Sequence, residues 1–286
     1  MFPLAGVKTS QTDAWHGSLN IAYTWVDGTT AIAHQQMQAP LKVQKPFYPE
    51  GSQVCHHVIL HTAGGVVGGD RLSLHFDLQP KAHTFMTTAA ASKVYRSNGL
   101  EARQNILVRV DTDACLEWFP QETIVFNNAI YRQDLRVELA PGATWLGWEI
   151  TRFGRTARGE KFVQGNWRSH TEVWQNQSPL WIDRQWLRGD EEIFHSPHAL
   201  AGKPIVGSLV FIGQPVSTEV VEKVRILLAQ IEQGEIGVTR LNMGILCRYR
   251  GNSTTEVRNW FTKVWHLMRS SFLGKPGYLP RVWQIS

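Results

Sequence analysis

Three sets of side chains in this sequence have types and spacing that bear on chemistry. The first is the run His61-Thr62-Ala63-Gly64-Gly65-Val66-Val67-Gly68-Gly69-Asp70-Arg71-Leu72, in which two Gly-Gly pairs bracket two valines. Glycine is used where the backbone needs a positive φ or where another group must come very close. A phosphate cradle is the first chemistry such a loop suggests. A P-loop, however, carries Lys-Ser/Thr directly after its last glycine. Here Asp70 follows Gly69, and a carboxylate at that point repels phosphate. The G-x-G-x-x-G spacing of dinucleotide folds is also missing, because Gly64 and Gly65 are adjacent. Strand-like sequence flanks the run on both sides, Val54 to His61 and Arg71 to Leu78. The run therefore reads as a structural turn or bulge between strands, with a ligand loop as the alternative.

The second set is Cys55, His57 and His61, which share one face of a strand, with His56 on the other. Same-face neighbours on a strand lie about 6.6 Å apart. One metal at ~2.1–2.3 Å from each ligand bridges two such side chains but hardly three. Thiolate and imidazole suit Ni²⁺ or Zn²⁺, yet a half-buried strand with hydrogen-bonded imidazoles accounts for the same residues. The third set is the carboxylates Asp70, Glu122, Glu149 and Glu160, each embedded in a distinctive local motif. Glu122 follows Trp-Phe-Pro-Gln and so enters apolar surroundings, where a carboxylate needs a partner. Lys93, Arg96, Arg155 and Arg158 can supply one. Two readings stand side by side: internal salt bridges, or a polar conduit whose oxygen ligands hold a metal weakly enough to let it pass.

No Ser-His-Asp arrangement, H-E-x-x-H or G-x-S-x-G motif is present. An enzymatic role would have to rest on a hydrolase-type pairing of Glu122 with a basic residue. The net charge of +5 comes from spread-out residues, with 19% of the chain charged and only a mild cluster at Arg152, Arg155, Arg158 and Lys161. That cluster is a solvated face or a docking patch for an acidic partner. A nucleic-acid-binding module is the remaining alternative, but no Lys/Arg block or basic-aromatic interleaving supports it. Cys55, Cys115 and Cys247 are odd in number and far apart, which points to a reducing compartment rather than a disulfide framework. The N-terminus lacks a signal-peptide pattern, and no apolar run approaches the ~20 residues of a membrane span. The expectation is a cytoplasmic protein with no membrane association.

These residues must be positioned by short elements. Apolar/polar alternation punctuated by turn signals runs from residue 17 to about 212, the pattern of an all-β architecture. Leu19–Tyr23, Val54–Leu60, Ile106–Val110, Leu135–Leu139, Trp167–Gln175 and Leu180–Leu187 read as strands, the last two flanking a hairpin turn at Asn176–Pro179. No fixed-period repeat is visible. Ser217 caps an expected helix running to about Gln233, with Val220, Val224, Leu227, Leu228 and Ile231 on one face. Ser253-Thr254-Thr255-Glu256 reads as a capping box before Val257, Trp260, Phe261, Val264, Trp265 and Met268, which repeat at helical spacing. With no Pro/Ser-rich linker, residues 1–286 are expected to form a single domain.

Further segments occur in a distinctive order: Ala33-His34-Gln35-Gln36, Pro46-Phe47-Tyr48-Pro49-Glu50-Gly51, Ser92-Lys93-Val94-Tyr95-Arg96, Glu117-Trp118-Phe119-Pro120-Gln121-Glu122-Thr123-Ile124, Gly154-Arg155-Thr156-Ala157-Arg158-Gly159-Glu160 and Pro280-Arg281-Val282-Trp283. With the glycine run they resemble the UreD (UreH) family of urease accessory proteins over nearly the whole chain. Departures are small: Ala63 stands where the family often has proline, and Phe119 where leucine is common. The resemblance implies a mainly β fold, many short strands stacked in a right-handed β-helix-like arrangement with two α-helices near the C-terminus. It implies a non-catalytic scaffold that binds the urease apoprotein and recruits UreF and the GTPase UreG for nickel delivery. No tightly bound cofactor is expected, only transient passage of Ni²⁺. Asp70, Glu122 and Glu160 are the candidate weak transit ligands. Cys55, His57 and His61 form a secondary metal candidate. Gly64, Gly65, Gly68, Gly69, Lys93, Arg96, Arg155 and Arg158 form the structural motif.

Overall fold

Alternating inward apolar and outward polar residues drive this chain back and forth between two sheets. The computed structural model describes residues 14–227 and 232–283. It begins with β1 (His16–Val26), β2 (Thr29–Gln38) and β3 (Leu41–Val43). Next come β4 (Val54–His61), β5 (Arg71–Leu78), β6 (His83–Thr88), β7 (Ser92–Val94), β8 (Ala102–Val110), β9 (Cys115–Phe119), β10 (Thr123–Val125), β11 (Ala129–Leu139), β12 (Thr144–Phe153) and β13 (Gly165–Gln175). The hairpin strand β14 (Ser178–Arg188), the short helix α1 (Glu191–His195), β15 (Ile205–Ile212) and helix α2 (Thr218–Ile226) follow. β16 (Glu235–Leu241), β17 (Gly244–Gly251) and helix α3 (Thr254–Met268) complete the regular elements.

The first sheet runs β14-β13-β11-β8-β5-β1-β2, and the second runs β16-β17-β15-β12-β9-β6-β4-β3 with β10 and β7 beside it. Successive coils contribute one strand to each sheet, and the coils stack as a β-solenoid of about 4 turns. Within each sheet the coil strands pair in parallel and in register, for example β5 with β8, β8 with β11, and β11 with β13. The mainly β fold with C-terminal helices matches the expectation, with the addition of α1. The absence of a visible repeat also has an explanation, because the connectors joining the sheets differ in length from coil to coil.

Those connectors segregate by edge. Passage from the first sheet to the second uses tight turns whose fourth-residue N–H returns to the first carbonyl: Ala82 to Gln79, Ala114 to Asp111, and Ala143 to Ala140. Their third residues, Lys81, Asp113 and Gly142, all have positive φ. Passage from the second sheet to the first uses the longer segments 62–70, 89–101, 120–128 and 154–164. The glycine run and the motifs that begin at Ser92, Glu117 and Gly154 fall in or run into these segments, which stack on one another. Val66 N–H donates to Lys93 O at 2.7 Å, Ser92 N–H to Glu122 O at 2.9 Å, Phe126 N–H to Val94 O at 3.0 Å and Gly154 N–H to Val125 O at 2.7 Å. Motifs scattered over a hundred residues of sequence thus form one narrow ladder.

Two cores result. One lies between the sheets. The other lies between the second sheet and α3, which buries Val257, Trp260, Phe261, Val264, Trp265 and Met268 as their spacing predicts. Ser253 caps α3 through Glu256 N–H at 3.1 Å, but the capping box is only half formed. The Glu256 carboxylate instead accepts from Tyr249 Oη–H and from the N–H groups of Glu232 and Gln233. Ser217 caps α2 as expected; Leu228 and Ile231 lie outside the described residues. Beyond α3, the fully buried Arg269 donates to Glu50 at 2.9 Å and pairs with the fully buried Glu117 at 3.2 Å. Among the described residues no helix is long and apolar enough to cross a membrane.

The glycine run is the first rung of the connector ladder. Asp70, 1% exposed, accepts the N–H groups of Trp15 and Val67 at 2.9 Å each and so closes the turn and ties it to the segment before β1. Gly69 holds φ +97°, and a Cβ on Gly68 would sit 2.6 Å from Ser97 Oγ and 2.9 Å from Leu100 O. Gly69→Val and Gly68→Val are each expected to cost about 1–3 kcal/mol. At about 2–4 °C per kcal/mol, the loss is readable in a thermal melt. Gly237→Ala, with open space around it and no strained φ, serves as a control expected within about 0.5 kcal/mol of the parent. Equal melting temperatures for all of these chains would remove the special-backbone role of the run.

Candidate functional site: a cavity between the sheets

Inward-facing positions of a two-sheet stack are normally apolar, since a buried polar group costs stability unless it is hydrogen-bonded. Here that pattern breaks along one row. Gln104 of β8, Gln133 of β11, Ser169 of β13 and Gln185 of β14 are mutual register partners across the first sheet. Thr171 and Asp183 form a second paired position beside them. From the facing sheet, Glu149 of β12 meets this row. Gln104 Nε2 donates to Gln133 Oε1 at 3.2 Å, Gln133 Nε2 donates to Glu149 Oε1 at 2.6 Å, and Ser169 Oγ–H lies 2.9 Å from both Glu149 oxygens.

Gln104, Gln133, Glu149, Thr171 and Asp183 line a cavity of about 270 Å³. It extends from the connector ladder, where His61, Gly64, Gly65, Ala90, Lys93 and Thr123 line it, to Glu149, Thr171, Asp183 and Ser208 deep between the sheets. Most of its lining is apolar, with Leu72, Leu74, Ile106, Trp118, Trp145 and Trp148 among it; the polar part is mainly oxygen- and amide-bearing, with His61 and Lys93 at the ladder end, and none of the three cysteines lines it. Burial pushes the Glu149 carboxyl up to about 7, and the charge of Asp183 adds to the rise. The hydrogen bonds of Ser169 and Gln133 and the charge of Arg248 offset only part of it. Carboxylate, amide and hydroxyl oxygens bind a borderline divalent cation far less tightly than thiolates do.

The carboxylates singled out in the sequence as transit ligands fall elsewhere. Asp70, Glu122 and Glu160 stand outside the cavity lining, each already engaged. Asp70 holds the glycine turn. Glu122 pairs with Arg258 and, at 3.5 Å, with Arg152. Glu160 pairs with Arg155 and accepts the N–H groups of Asn127 and Arg155. Burial works to raise the Glu160 carboxyl, but these donors hold it below its usual range. Lys93, Arg96 and Arg158 are exposed on the connectors, and Lys93 reaches the cavity. Arg155 lies over the Phe126 ring.

The Cys55/His57/His61 set does not assemble. Among the described residues no group of three or more His, Cys, Asp and Glu is arranged to hold a metal ion. His57 Nδ1 bonds Tyr23 Oη, and burial pushes its imidazole down to about 4. Burial likewise pushes the Cys55 thiol up to about 11. His61 Nδ1 lies 3.1 Å from Ala63 O.

Glu149 was visible in the sequence as a motif carboxylate; its neighbours Gln104, Gln133, Ser169, Asp183, Ser208 and Arg248 were not. The signal was present all the same. Gln104, Gln133 and Ser169 each interrupt an inward apolar series: Ala102-Ile106-Val108, Ala129-Tyr131-Leu135 and Trp167-Val173. Recognising the interruptions as one feature requires the register that aligns them.

Comparison with known proteins adds an independent line. The family model described as UreD urease accessory protein matches residues 16–284. A urease accessory protein UreD of Nostoc punctiforme is 67% identical over 273 residues, 96% of this chain and 97% of its own length. Another from a Nostoc species is 65% identical over 279 residues, covering 96% of this chain and 99% of its own length. That of Trichormus variabilis is 65% identical over 272 residues, covering 95% and 97%.

The raised carboxyl of Glu149 has a consequence for stability. Its folded value lies above its unfolded one, so the folded state gains a proton between them and loses stability as pH rises from about 4.5 to about 7. Glu149→Gln removes that loss. The variant is expected to match the parent near pH 4.5 and to exceed it at pH 8 by up to about 3 kcal/mol. Urea unfolding at both pH values checks this. A variant no more stable at pH 8 than at pH 4.5, relative to the parent, contradicts the buried-carboxylate assignment.

Proposed function

The chain belongs to the UreD family of urease accessory proteins, and on that premise we propose that its cavity is a passage for nickel on the way to urease. Family membership makes it a maturation factor for urease. In the proposed mechanism it is a scaffold that binds the urease apoprotein and recruits UreF and the GTPase UreG. The chain carries no nucleotide-binding motif of its own, so GTP hydrolysis on UreG supplies the driving force. Nickel is cargo here and not a resident cofactor. We place the protein in the cytoplasm; its three cysteines, all buried free thiols, suit a reducing compartment.

The observation that carries this reading is the row of oxygen and amide groups set into the largely apolar cavity that runs from the connector ladder to Glu149. A passage must attract a cation and release it. Glu149 supplies negative charge, while Gln104, Gln133, Thr171 and Ser208 supply neutral donor atoms that replace part of the ion's hydration. The lack of thiolates in the lining keeps the cation from being held. No hydrolase-type reading is favoured, because Glu122 is bound between two arginines.

Co-expression with the urease subunits and the other accessory proteins tests the passage. Thr171→Phe fills the cavity, and Glu149→Gln removes its charge. Both chains are expected to assemble into the complex yet leave urease several-fold poorer in nickel, by pull-down and elemental analysis. Glu122→Ala is expected to behave differently. It leaves Arg152 and Arg258 without their carboxylate, a change that typically costs about 3–5 kcal/mol when buried, so complex and nickel should fall together. Nickel-replete urease from the Thr171→Phe chain would rule out the passage.

A further inference from the structure

The cavity ends, away from the connector ladder, at Asp183 and Ser208. Beyond lies a surface groove of about 320 Å³ lined by Gln185, Ser208, Glu235, Ile236, Arg248 and Arg250, among others. Ser208 lines both spaces. The partition between them is a polar lock at the open end of the two-sheet stack. Arg248 of β17 donates through Nη2 to Asp183 Oδ1 at 2.7 Å and through Nη1 to Ser208 Oγ at 2.9 Å. Gln185 Nε2 donates to Asp183 Oδ2 at 2.7 Å and approaches Ser208 Oγ at 3.5 Å. The two strands that meet here, β14 and β17, belong to different sheets. The Arg248–Asp183 bridge is thus a side-chain closure over a gap that no backbone pairing spans.

We propose that Arg248 is the gate of the cavity: at rest its guanidinium occupies the cation position on Asp183, and an arriving divalent cation displaces it outward, opening the way to the groove. This rests on the reading of the cavity as a cation passage. Three features support it. The guanidinium is permanently charged, so it neutralises Asp183 at every working pH. Its side chain is 39% exposed while that of Asp183 is 14% exposed, so the arginine has solvent to swing into and the carboxylate does not. A part-exposed ion pair is weak, which makes its opening readily reversible. The gate also explains why Glu149 and Asp183, close enough to raise one carboxyl by the charge of the other, need not trap the cargo: Arg248 returns and competes for Asp183.

Equilibrium dialysis of the purified full chain against Ni²⁺ tests the gate. Arg248→Gln keeps a hydrogen bond to Ser208 and removes the charge; Arg248→Met removes both, and whichever is soluble is scored. Without the resident cation, the chain is expected to retain Ni²⁺ at least about tenfold more tightly than the parent. Adding Asp183→Asn should abolish the gain, and Arg248→Lys should leave retention at the parental level. Unchanged retention in the charge-removing variants, or a gain that survives Asp183→Asn, overturns the gate. The gate is scored on nickel held by this chain, and the passage on nickel reaching urease. Nickel-replete urease from the Thr171→Phe chain therefore overturns both readings. Nickel-poor urease from that chain, with unchanged retention in the Arg248 variants, overturns the gate alone.

Discussion

Everything in this molecule depends on in-register parallel pairing between successive coils. Parallel strands place like positions side by side at about 4.8 Å, so the side chain chosen in one coil constrains its neighbours in the next. A lone inward glutamine would be an unsatisfied buried group. A row of them is not, because each amide has its counterpart within reach, as Gln104 has Gln133. The same rule acts on the connectors. Each long segment must offer backbone N–H and C=O groups where the next coil needs them, which is why the glycine run meets Lys93 and Tyr95 through Val66. The polar row and the motif ladder are two expressions of one periodic constraint.

Two buried glutamates contrast in how the fold treats a carboxylate. Glu117 faces the layer between the second sheet and α3. Burial alone would raise its carboxyl, but His83, Arg269 and Trp265 hold it below its usual range. It is a fastening, tying the segment after α3 to the sheet. Glu149 on the neighbouring strand faces the opposite side and meets chiefly neutral donors, so burial prevails and its carboxyl rises. A charge fully matched by the protein has nothing left for a cargo. One that is only partly matched remains available. The carboxylates most conspicuous in the sequence, Asp70, Glu122 and Glu160, likewise have hydrogen-bond or ion-pair partners within the protein.

What could be read from the sequence follows from this. Helix α3 was legible because its apolar period and its Ser253 cap are local signals. Alternation likewise revealed β4, β8, β11, β13 and β14. The family was legible partly because the glycine run and the motifs that begin at Ser92 and Gly154 lie in connectors, whose backbone shapes demand particular residues. The cavity was not legible, because Gln104, Gln133, Ser169 and Asp183 each look like an ordinary strand residue alone and become a site only through register. The solenoid period was hidden by connectors of unequal length. It survives at the opposite edge, in the turns centred on Pro80-Lys81, Thr112-Asp113 and Pro141-Gly142.

Those compact turns carry an architectural implication of their own. They let one coil follow another with almost no slack, so the walled interior grows only by whole coils. The length of such an interior is therefore quantised in steps of about 4.8 Å. Its bore is tuned independently, by substitutions at inward positions. Length and lining can in this way change separately, using the same four-residue hinge each time.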